Sequence, residues 1–394
     1  MMQSEANTRA LILRKKEEHR VLAGHPWVFS NELLETRGQP QTGDLVELRT
    51  EKGKTLGFGF YNQHSLIAFR LLTSELVEIN SDFFSERLAR ALALRRMLYA
   101  DDGAFRVVHS EADYLPGLIV DKYNEYLCVQ TLSYGMDARL PIICDALDGL
   151  FHPAGIIERN ESQLRTLEHL TLHKGVLRGT SGVTTIVEHG IRYKVDPLGG
   201  QKTGFYLDQR ENRAAIRRFA PGATVLDCFC NEGGFGLNAA QVGARSVLGL
   251  DISEDAIKRA RKNAELNNLS SAQFEQGDVF EMLKSEELRA KFDIVVLDPP
   301  SFTRSKKNVQ TAKRGYRELH MSALKVLRRE GILMTSSCSH HIRSDVFLEI
   351  INEAATQVGR KLQMLDWRSA SPDHPILPAV PETQYLKFGV FRSD

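Results

Sequence analysis

Five cysteines in 394 residues, none of them in a CxxC pair, support neither a disulfide framework nor a structural zinc site. No metal is expected. Long apolar runs are missing too: no stretch reaches membrane-spanning length, and MMQSEANTRALILRKKEEH at the N-terminus lacks the apolar core of a signal peptide. Net charge is almost absent. With 51 basic and 50 acidic residues the formal charge is +1, so there is no strong whole-molecule field, and any attraction for nucleic acid must come from local patches. Internal repeats and low-complexity tracts are not found. What is present is an ordinary globular composition, 42% hydrophobic and 26% charged, in a chain too long for one core. Two or three domains, a reducing cytoplasm and no membrane partner are the expectation.

Residues 9–75 read as short strands and turns: RALILRKK, GDLVELRTEKGKTLGFGFYN and SLIAFRLL. Val46, Leu48, Leu56 and Phe58, separated by glycines and polar residues, suit a small β-barrel. Within it, GHPWVFSNE carries Trp27, which reads either as a core tryptophan or as part of a surface that stacks on RNA. From Asp82 the pattern turns helical, with Phe84, Leu88, Leu92 and Leu94 among arginines. EADYLPGLIVDKYNEYLCVQTL then predicts two strands around a Tyr-Asn-Glu turn, residues 136–150 a helix, and GIIERNESQLRTLEHL a strand running into a helix. A further helix is predicted to begin near Leu207. Beyond it, ATVLDCF, SVLGLDI, DIVVLDPP and GILMTSSC are apolar runs separated by helical stretches, the rhythm of βαβ units on a parallel sheet. The division this implies is 1–76, a β-barrel; 77–190, a small α/β middle domain; and 191–394, the parallel-sheet domain.

In an open parallel sheet, ligands bind beyond the carboxyl ends of the strands, so the residues after each run carry the chemistry. CFCNEGGFGLNAA is a glycine-containing turn entering a helix; Gly233, Gly234 and Gly236 would let backbone approach a ligand, and helix N–H groups favour an anionic one. Their spacing does not fit the GxGxxG of dinucleotide enzymes. Asp251 ends the next strand, where an acid can accept both ribose hydroxyls, although lone acids at strand ends are common. Asp278 in FEQGDVFEML can receive an adenine amine. Glycine turn, ribose acid and adenine acid in this order describe a nucleoside cofactor lying across the sheet edge. Asp298-Pro299-Pro300 then closes a strand with a rigid turn, holding a carboxylate that can bind an amine or ring nitrogen of a planar substrate.

These residues resemble class I S-adenosylmethionine-dependent methyltransferases, and among them the RlmI family, cytosine-C5 enzymes acting on large-subunit ribosomal RNA. The resemblance covers nearly the whole chain: GHPWVFS in an N-terminal PUA-like segment, EADYLPGLIVD and IIERN in the middle, QKTGFYLDQRENR, VLDCFCNEGGFG, LDPPSF, SSCS and DHPILPAVPETQYLK. It implies an α/β protein: a PUA-like β-barrel, a small α/β domain and a Rossmann-like methyltransferase domain with a mostly parallel seven-stranded sheet. It implies S-adenosylmethionine as cofactor, lined by Lys202, Thr203, Phe205, Asp208 and Arg210, with Asp227, Asn231, Gly233, Asp251, Ser253 and Asp278 holding its methionine, ribose and adenine parts. Asp298 closes the site and faces the base. CFCNEGG departs from the Ser/Tyr/Thr type of sequence that relatives carry before Gly-Gly, which leaves the roles of Cys230 and Glu232 open.

Carbon 5 of cytosine is a poor nucleophile, and a thiolate adding to carbon 6 makes it enamine-like. RNA cytosine-C5 enzymes often carry one cysteine in the Asp-Pro-Pro region and another in a Thr/Ser-Cys-Ser segment. Here position 301 is serine and Cys338 stands in the second place, so Cys338 is the expected nucleophile. Its thiolate needs nearby positive charge or donors, which His340 or His341 can supply, although structural or phosphate-binding roles suit them better. Cys228 and Cys230 read as pocket wall. Arg304, Lys306, Lys307, Lys313, Arg314 and Arg317 form a basic run without an acid, read here as RNA-phosphate contacts against the solvated-face alternative. Tyr316 within it suits stacking or core packing equally. Alternatives are a methyltransferase of this fold acting on guanine N7, which needs no cysteine, and a non-catalytic RNA-binding assembly factor. A homodimer is compatible with the sequence.

Overall fold

The computed structural model describes residues 9–99, 103–303 and 306–394; Arg304 and the side chain of Lys306 lie outside the described residues. Two compact units are formed, one from Met1–Ile186, Val195–Leu207 and Pro372–Thr383, the other from Val187–Lys194, Asp208–Ser371 and Gln384–Asp394.

In the first unit, alternating apolar strands build a six-stranded sheet: β1 (Ala10–Leu13), β2 (Trp27–Phe29), β3 (Leu33–Arg37), β4 (Leu45–Arg49), β5 (Thr55–Tyr61) and β6 (Ile67–Thr73), in the order β2-β6-β5-β4-β1-β3. Its pairs are antiparallel except β1 with β4. Leu11, Leu13, Val28, Val46, Leu48 and Phe69 form its core. A second sheet of this unit has the order β11-β10-β9-β8-β7, from β7 (Ala104–His109), β8 (Leu118–Tyr123), β9 (Tyr126–Thr131), β10 (Gly155–Asn160) and β11 (His173–Gly179). The helices Ser81–Leu98 and Leu140–Phe151 contribute Phe84, Leu88, Leu92, Ile143 and Leu147 to its core. The side chain of Asn80 caps the first by accepting from the Phe83 N–H at 3.1 Å.

One predicted helix is absent. After β10 the chain makes only a 3-10 helix, Gln163–Glu168, and its polarity is inverted: Leu164 and Leu167 are exposed while Arg165 and Glu168 are buried. The buried charges are satisfied by partners distant in sequence. Glu168 accepts from Asn62, Ser65 and Arg70 at 2.9, 2.7 and 2.9 Å, and Arg165 donates to Asp137 at 2.8 Å. Apolar periodicity therefore points the wrong way here.

A two-stranded ribbon, β12 (Thr184–Glu188) and β13 (Ile191–Val195), carries Glu188 into the second unit. There a seven-stranded sheet is built from β14 (Thr224–Cys228), β15 (Ser246–Asp251), β16 (Ala272–Gln276), β17 (Phe292–Leu297), β18 (Leu327–Ser337), β19 (Leu362–Arg368) and β20 (Lys387–Ser393), in the order β16-β15-β14-β17-β18-β20-β19. The first five strands are parallel, and β20 is antiparallel to both neighbours. Val225, Leu226, Val295, Val296, Leu297 and Leu333 are fully buried. Central parallel strands are covered on both faces, which is why they read as unbroken apolar runs. Helices Gly234–Gln241, Glu254–Leu266, Val309–Val326 and Ser344–Gln357 belong to this unit. The helix expected near Leu207 is broken into a 3-10 turn, Leu207–Gln209, an α-helical stretch, Arg210–Ala215, and a second 3-10 turn, Ile216–Arg218. No helix among the described residues is long and apolar enough to cross a membrane.

Candidate active site

Parallel register brings the carboxyl ends of β14, β15, β17 and β18 to one edge: Cys228 pairs with Leu250 and Leu297, and Leu297 with Thr335. The turn after β14 needs left-handed backbone at Phe229, Asn231 and Gly233, with φ of 60°, 47° and 84°. A Cβ at Gly233 would stand 2.7 Å from the Phe274 ring, one at Gly234 2.3 Å from Arg213 Cδ, and one at Gly236 2.9 Å from Val247 Cγ1. Packing beneath the turn opposes a Cβ at all three positions, and at Gly233 the left-handed backbone does so as well.

Asp227 is fully buried just ahead of that turn. Its Oδ2 accepts from the Gly236 N–H at 2.8 Å, while Oδ1 and the Asn231 Oδ1 are buried without a hydrogen-bond partner among the described residues. Two buried acceptors left over by the protein suit a cationic or N–H-bearing ligand. Burial, reinforced by Asp298 and Asp251, raises the Asp227 carboxyl from 3.8 to about 7. A carboxyl that keeps its proton to higher pH when folded contributes stability that is full below about pH 4 and lost as pH rises through about 7. His320, buried and pushed from 6.5 down to about 4, slopes the other way. Comparison with Asp227→Asn isolates the effect. In urea denaturation without cofactor, the variant should gain on wild type by up to about 1.4 kcal/mol per pH unit between pH 4 and 7; parallel curves would refute this.

Asp251 and Asp278 are held by backbone. Asp251 accepts from the Asn231 N–H at 3.0 Å and the Ser253 N–H at 2.9 Å, leaving further lone pairs on both oxygens. Ser253 caps the helix Glu254–Leu266 by accepting from Ala256 N–H at 3.3 Å. Asp278 is exposed and accepts from the Phe280 N–H at 2.8 Å. Asp208 accepts from the Tyr385 hydroxyl at 2.7 Å, and Arg210 lies 3.6 Å from the buried Glu188 carboxylate. Lys202, Thr203 and Phe205 belong to the first unit: Lys202 stands over the Tyr206 ring, Thr203 donates to Asp121 at 2.6 Å, and the Phe205 N–H donates to the Tyr123 hydroxyl at 3.1 Å. Cys228 and Cys230 are buried, and burial pushes both thiols well up.

Asp298 and Cys338 stand at the ends of neighbouring strands. Asp298 Oδ1 accepts from Gln209 Nε2 at 2.8 Å and from the Ser336 hydroxyl on β18. Ser336 is two residues before Cys338. Around the cysteine, the Tyr316 hydroxyl bonds Ser337 and Ser339 at 2.9 and 3.0 Å, and Ser301 meets Ser339 at 3.1 Å. Of the five cysteines, four are buried and Cys338 is partly exposed.

Two functional candidates escaped the sequence reading. Gln209 lies inside QKTGFYLDQREN and was legible only as part of that motif. Lys387 ends DHPILPAVPETQYLK; it is buried, and its ammonium donates to the Ser339 and Tyr385 carbonyls at 2.8 Å each. His340 is exposed with its ring 5.9 Å from that of Tyr385, and His341 is half-buried.

The expected RNA contacts divide. Lys307 and Arg314 are exposed, Lys313 is half-buried, and Arg317 is 3.3 Å from Glu353. Tyr316 is fully buried, which removes it from stacking on RNA. Trp27 is half-buried, its indole N–H donating to Glu111 at 2.8 Å and its ring 5.4 Å from the Arg70 guanidinium.

Residues 11–74 match a PUA-like domain and residues 220–372 a methyltransferase domain. The ribosomal RNA large subunit methyltransferase I of Tolumonas auensis is 40% identical over 390 residues, 97% of this chain and 98% of that protein. Its namesake from Aeromonas hydrophila is 40% identical over 393 residues, 98% and 99% of the two chains. A solved structure described as a SAM-dependent methyltransferase from Streptococcus mutans superposes at a TM-score of 0.83, with 21% identity, over 98% of this chain and 100% of that one. Another, described as a methyltransferase complexed with SAH, gives 0.84 with the same identity and coverage. At that identity the likeness shows the fold.

Proposed function

The chain belongs to the ribosomal RNA large subunit methyltransferase I family, and from that premise we propose that it forms 5-methylcytosine in large-subunit ribosomal RNA, with S-adenosylmethionine as methyl donor and Cys338 as nucleophile. The observation that carries the reading is the pairing of β17 with β18, which sets the Asp298 carboxylate and the partly exposed Cys338 thiol at adjacent strand ends.

The unpartnered acceptors of Asp227 and Asn231 fit the methionine end of the cofactor, with Asp251 for the ribose and Asp278 for the adenine. When bound, the cofactor supplies an electrophilic methyl group. The Cys338 thiolate adds to carbon 6 of an unstacked cytosine, making carbon 5 nucleophilic. After methylation, loss of the carbon-5 proton and expulsion of the thiolate restore the ring. Asp298, fixed by Gln209 and Ser336, bonds near N3 and the exocyclic amine, where charge changes during attack. Lys307 and Arg314, both exposed, suit RNA phosphates, and the PUA-like and middle segments, residues 1–76 and 77–190, suit RNA recognition. Four buried thiols and one partly exposed one suit a reducing compartment.

Asp298→Asn keeps the acceptor oxygen for Gln209 and Ser336 but removes the charge. Single-turnover methylation should slow by about 10²–10³-fold; an unchanged rate would remove Asp298 from the chemistry. The reading as a whole is tested with large-subunit ribosomal RNA from cells lacking this protein, labelled S-adenosylmethionine and mass-spectrometric mapping. One methyl on a cytosine base is expected, and a methyl on guanine would refute it.

A further inference from the structure

Lys387 presents a problem that the reaction as described does not absorb. In the antiparallel register of β18 with β20 it pairs with Ser337, the residue before Cys338. Its side chain is buried, and its hydrogen-bond partners are two carbonyl oxygens, those of Ser339 and Tyr385 at 2.8 Å each. No carboxylate pairs with it among the described residues. A buried ammonium held only by carbonyls is costly unless a negative charge forms beside it. Burial dominates its proton affinity and, with Cys338 nearby pulling the other way, brings it from 10.5 to about 8.

We propose that Lys387 is a positioning residue for Cys338: its ammonium fixes the backbone on the far side of the cysteine through the Ser339 carbonyl and stabilises the thiolate. The proposal rests on Cys338 being the nucleophile but addresses its ionisation, which is measurable without RNA or cofactor. The other ionisable groups around the cysteine do not replace Lys387. Asp298, at the end of β17, is a carboxyl group and has no positive charge to offer a thiolate. Tyr316, from the helix Val309–Val326, is pushed up to about 12 chiefly by burial and stays neutral; its hydroxyl serves Ser337 and Ser339. His340 is exposed, His341 half-buried, and Tyr385 is committed to Asp208. Lys387 is the buried cation of the set.

The test is the pH dependence of iodoacetamide alkylation at Cys338 in the full-length protein, followed by peptide mass spectrometry; the four buried cysteines serve as internal references. Wild type should show an inflection about one unit or more below the ordinary thiol value near 8.5. Lys387→Met should move it up by about one unit or more, slowing alkylation about tenfold at pH 7, and Lys387→Arg should restore the low inflection. Thermal unfolding and S-adenosylmethionine binding report whether each variant is folded. A wild-type inflection at or above about 8.5 overturns the proposal, and so does an unmoved inflection in folded Lys387→Met. Should Lys387→Met fail to fold, the wild-type inflection and Lys387→Arg decide. Since no methyl transfer is read, failure here leaves the role of Cys338 in methylation standing, and failure of that role shows in methylation assays while the alkylation inflection is unmoved.

Discussion

Cys338→Ala is expected to lower methylation by about four powers of ten or more, while S-adenosylmethionine binds as before. The size follows from the chemistry: without a nucleophile at carbon 6, carbon 5 of cytosine has no means of attacking a methyl group, so the change removes the reaction path itself. No other cysteine can take over. Cys128, Cys144, Cys228 and Cys230 are buried, and burial raises the thiol of Cys144 to about 11 and those of the others well up. Ser301 occupies the place where two-cysteine enzymes carry a thiol, but its hydroxyl bonds Thr303 and Ser339 at 2.9 and 3.1 Å, and an alkoxide is inaccessible there. Cofactor affinity should survive because the unpartnered acceptors of Asp227 and Asn231 lie around the turn after β14, not on β18. Calorimetric titration with S-adenosylmethionine and single-turnover methylation separate the two. Retained turnover would point to an atom that is already nucleophilic, such as guanine N7.

The largest stability effect is expected at Glu188, far from the chemistry in sequence. This carboxylate is fully buried and accepts from Arg213 through both oxygens, at 2.8 and 2.6 Å, with Arg210 3.6 Å away. Glu188→Ala removes the buried carboxylate that Arg213 grips through both oxygens and should cost about 3–5 kcal/mol, read as a fall in the urea midpoint. Cofactor affinity should fall as well, because Arg213 Cδ fills the space beneath Gly234 in the turn after β14. Glu188→Gln, which keeps the shape, should fall between. Truncating Glu286 of the exposed Arg289–Glu286 pair should leave the midpoint unmoved, since solvent screens it. Equal effects at Glu188 and Glu286 would refute the account.

How much of this was legible depends on where the determining contacts lie. Strands β14, β15, β17 and β18 were readable because parallel strands covered on both faces become unbroken apolar runs. The acids beyond strand ends were readable because ligands of such sheets bind there: Asp251 ends β15, Asp278 follows β16 and Asp298 follows β17. Residues whose role comes from distant partners were not. Gln209 meets Asp298 across 89 positions, and Lys387 meets Ser339 across 48. No local pattern distinguishes either from a solvent-facing polar residue. The segment after β10 failed for a related reason, since Arg165 and Glu168 are buried by partners on remote segments while its leucines face out. The glycines of the turn after β14 were read as room for a ligand, whereas Phe274, Arg213 and Val247 pack beneath them and Gly233 also takes a left-handed φ of 84°.

The central claim is the covalent bond between Cys338 and carbon 6, and one measurement addresses it directly. Ribosomal RNA carrying 5-fluorocytidine is incubated with the protein and S-adenosylmethionine, denatured and digested, and the products are examined by mass spectrometry. Fluorine at carbon 5 cannot leave as a proton does, so the thiolate is not expelled and the adduct persists. The account predicts a denaturation-resistant complex whose cross-linked peptide contains Cys338, and none with Cys338→Ala. Methylation of unsubstituted RNA without any such complex, or a complex through another residue, would contradict it.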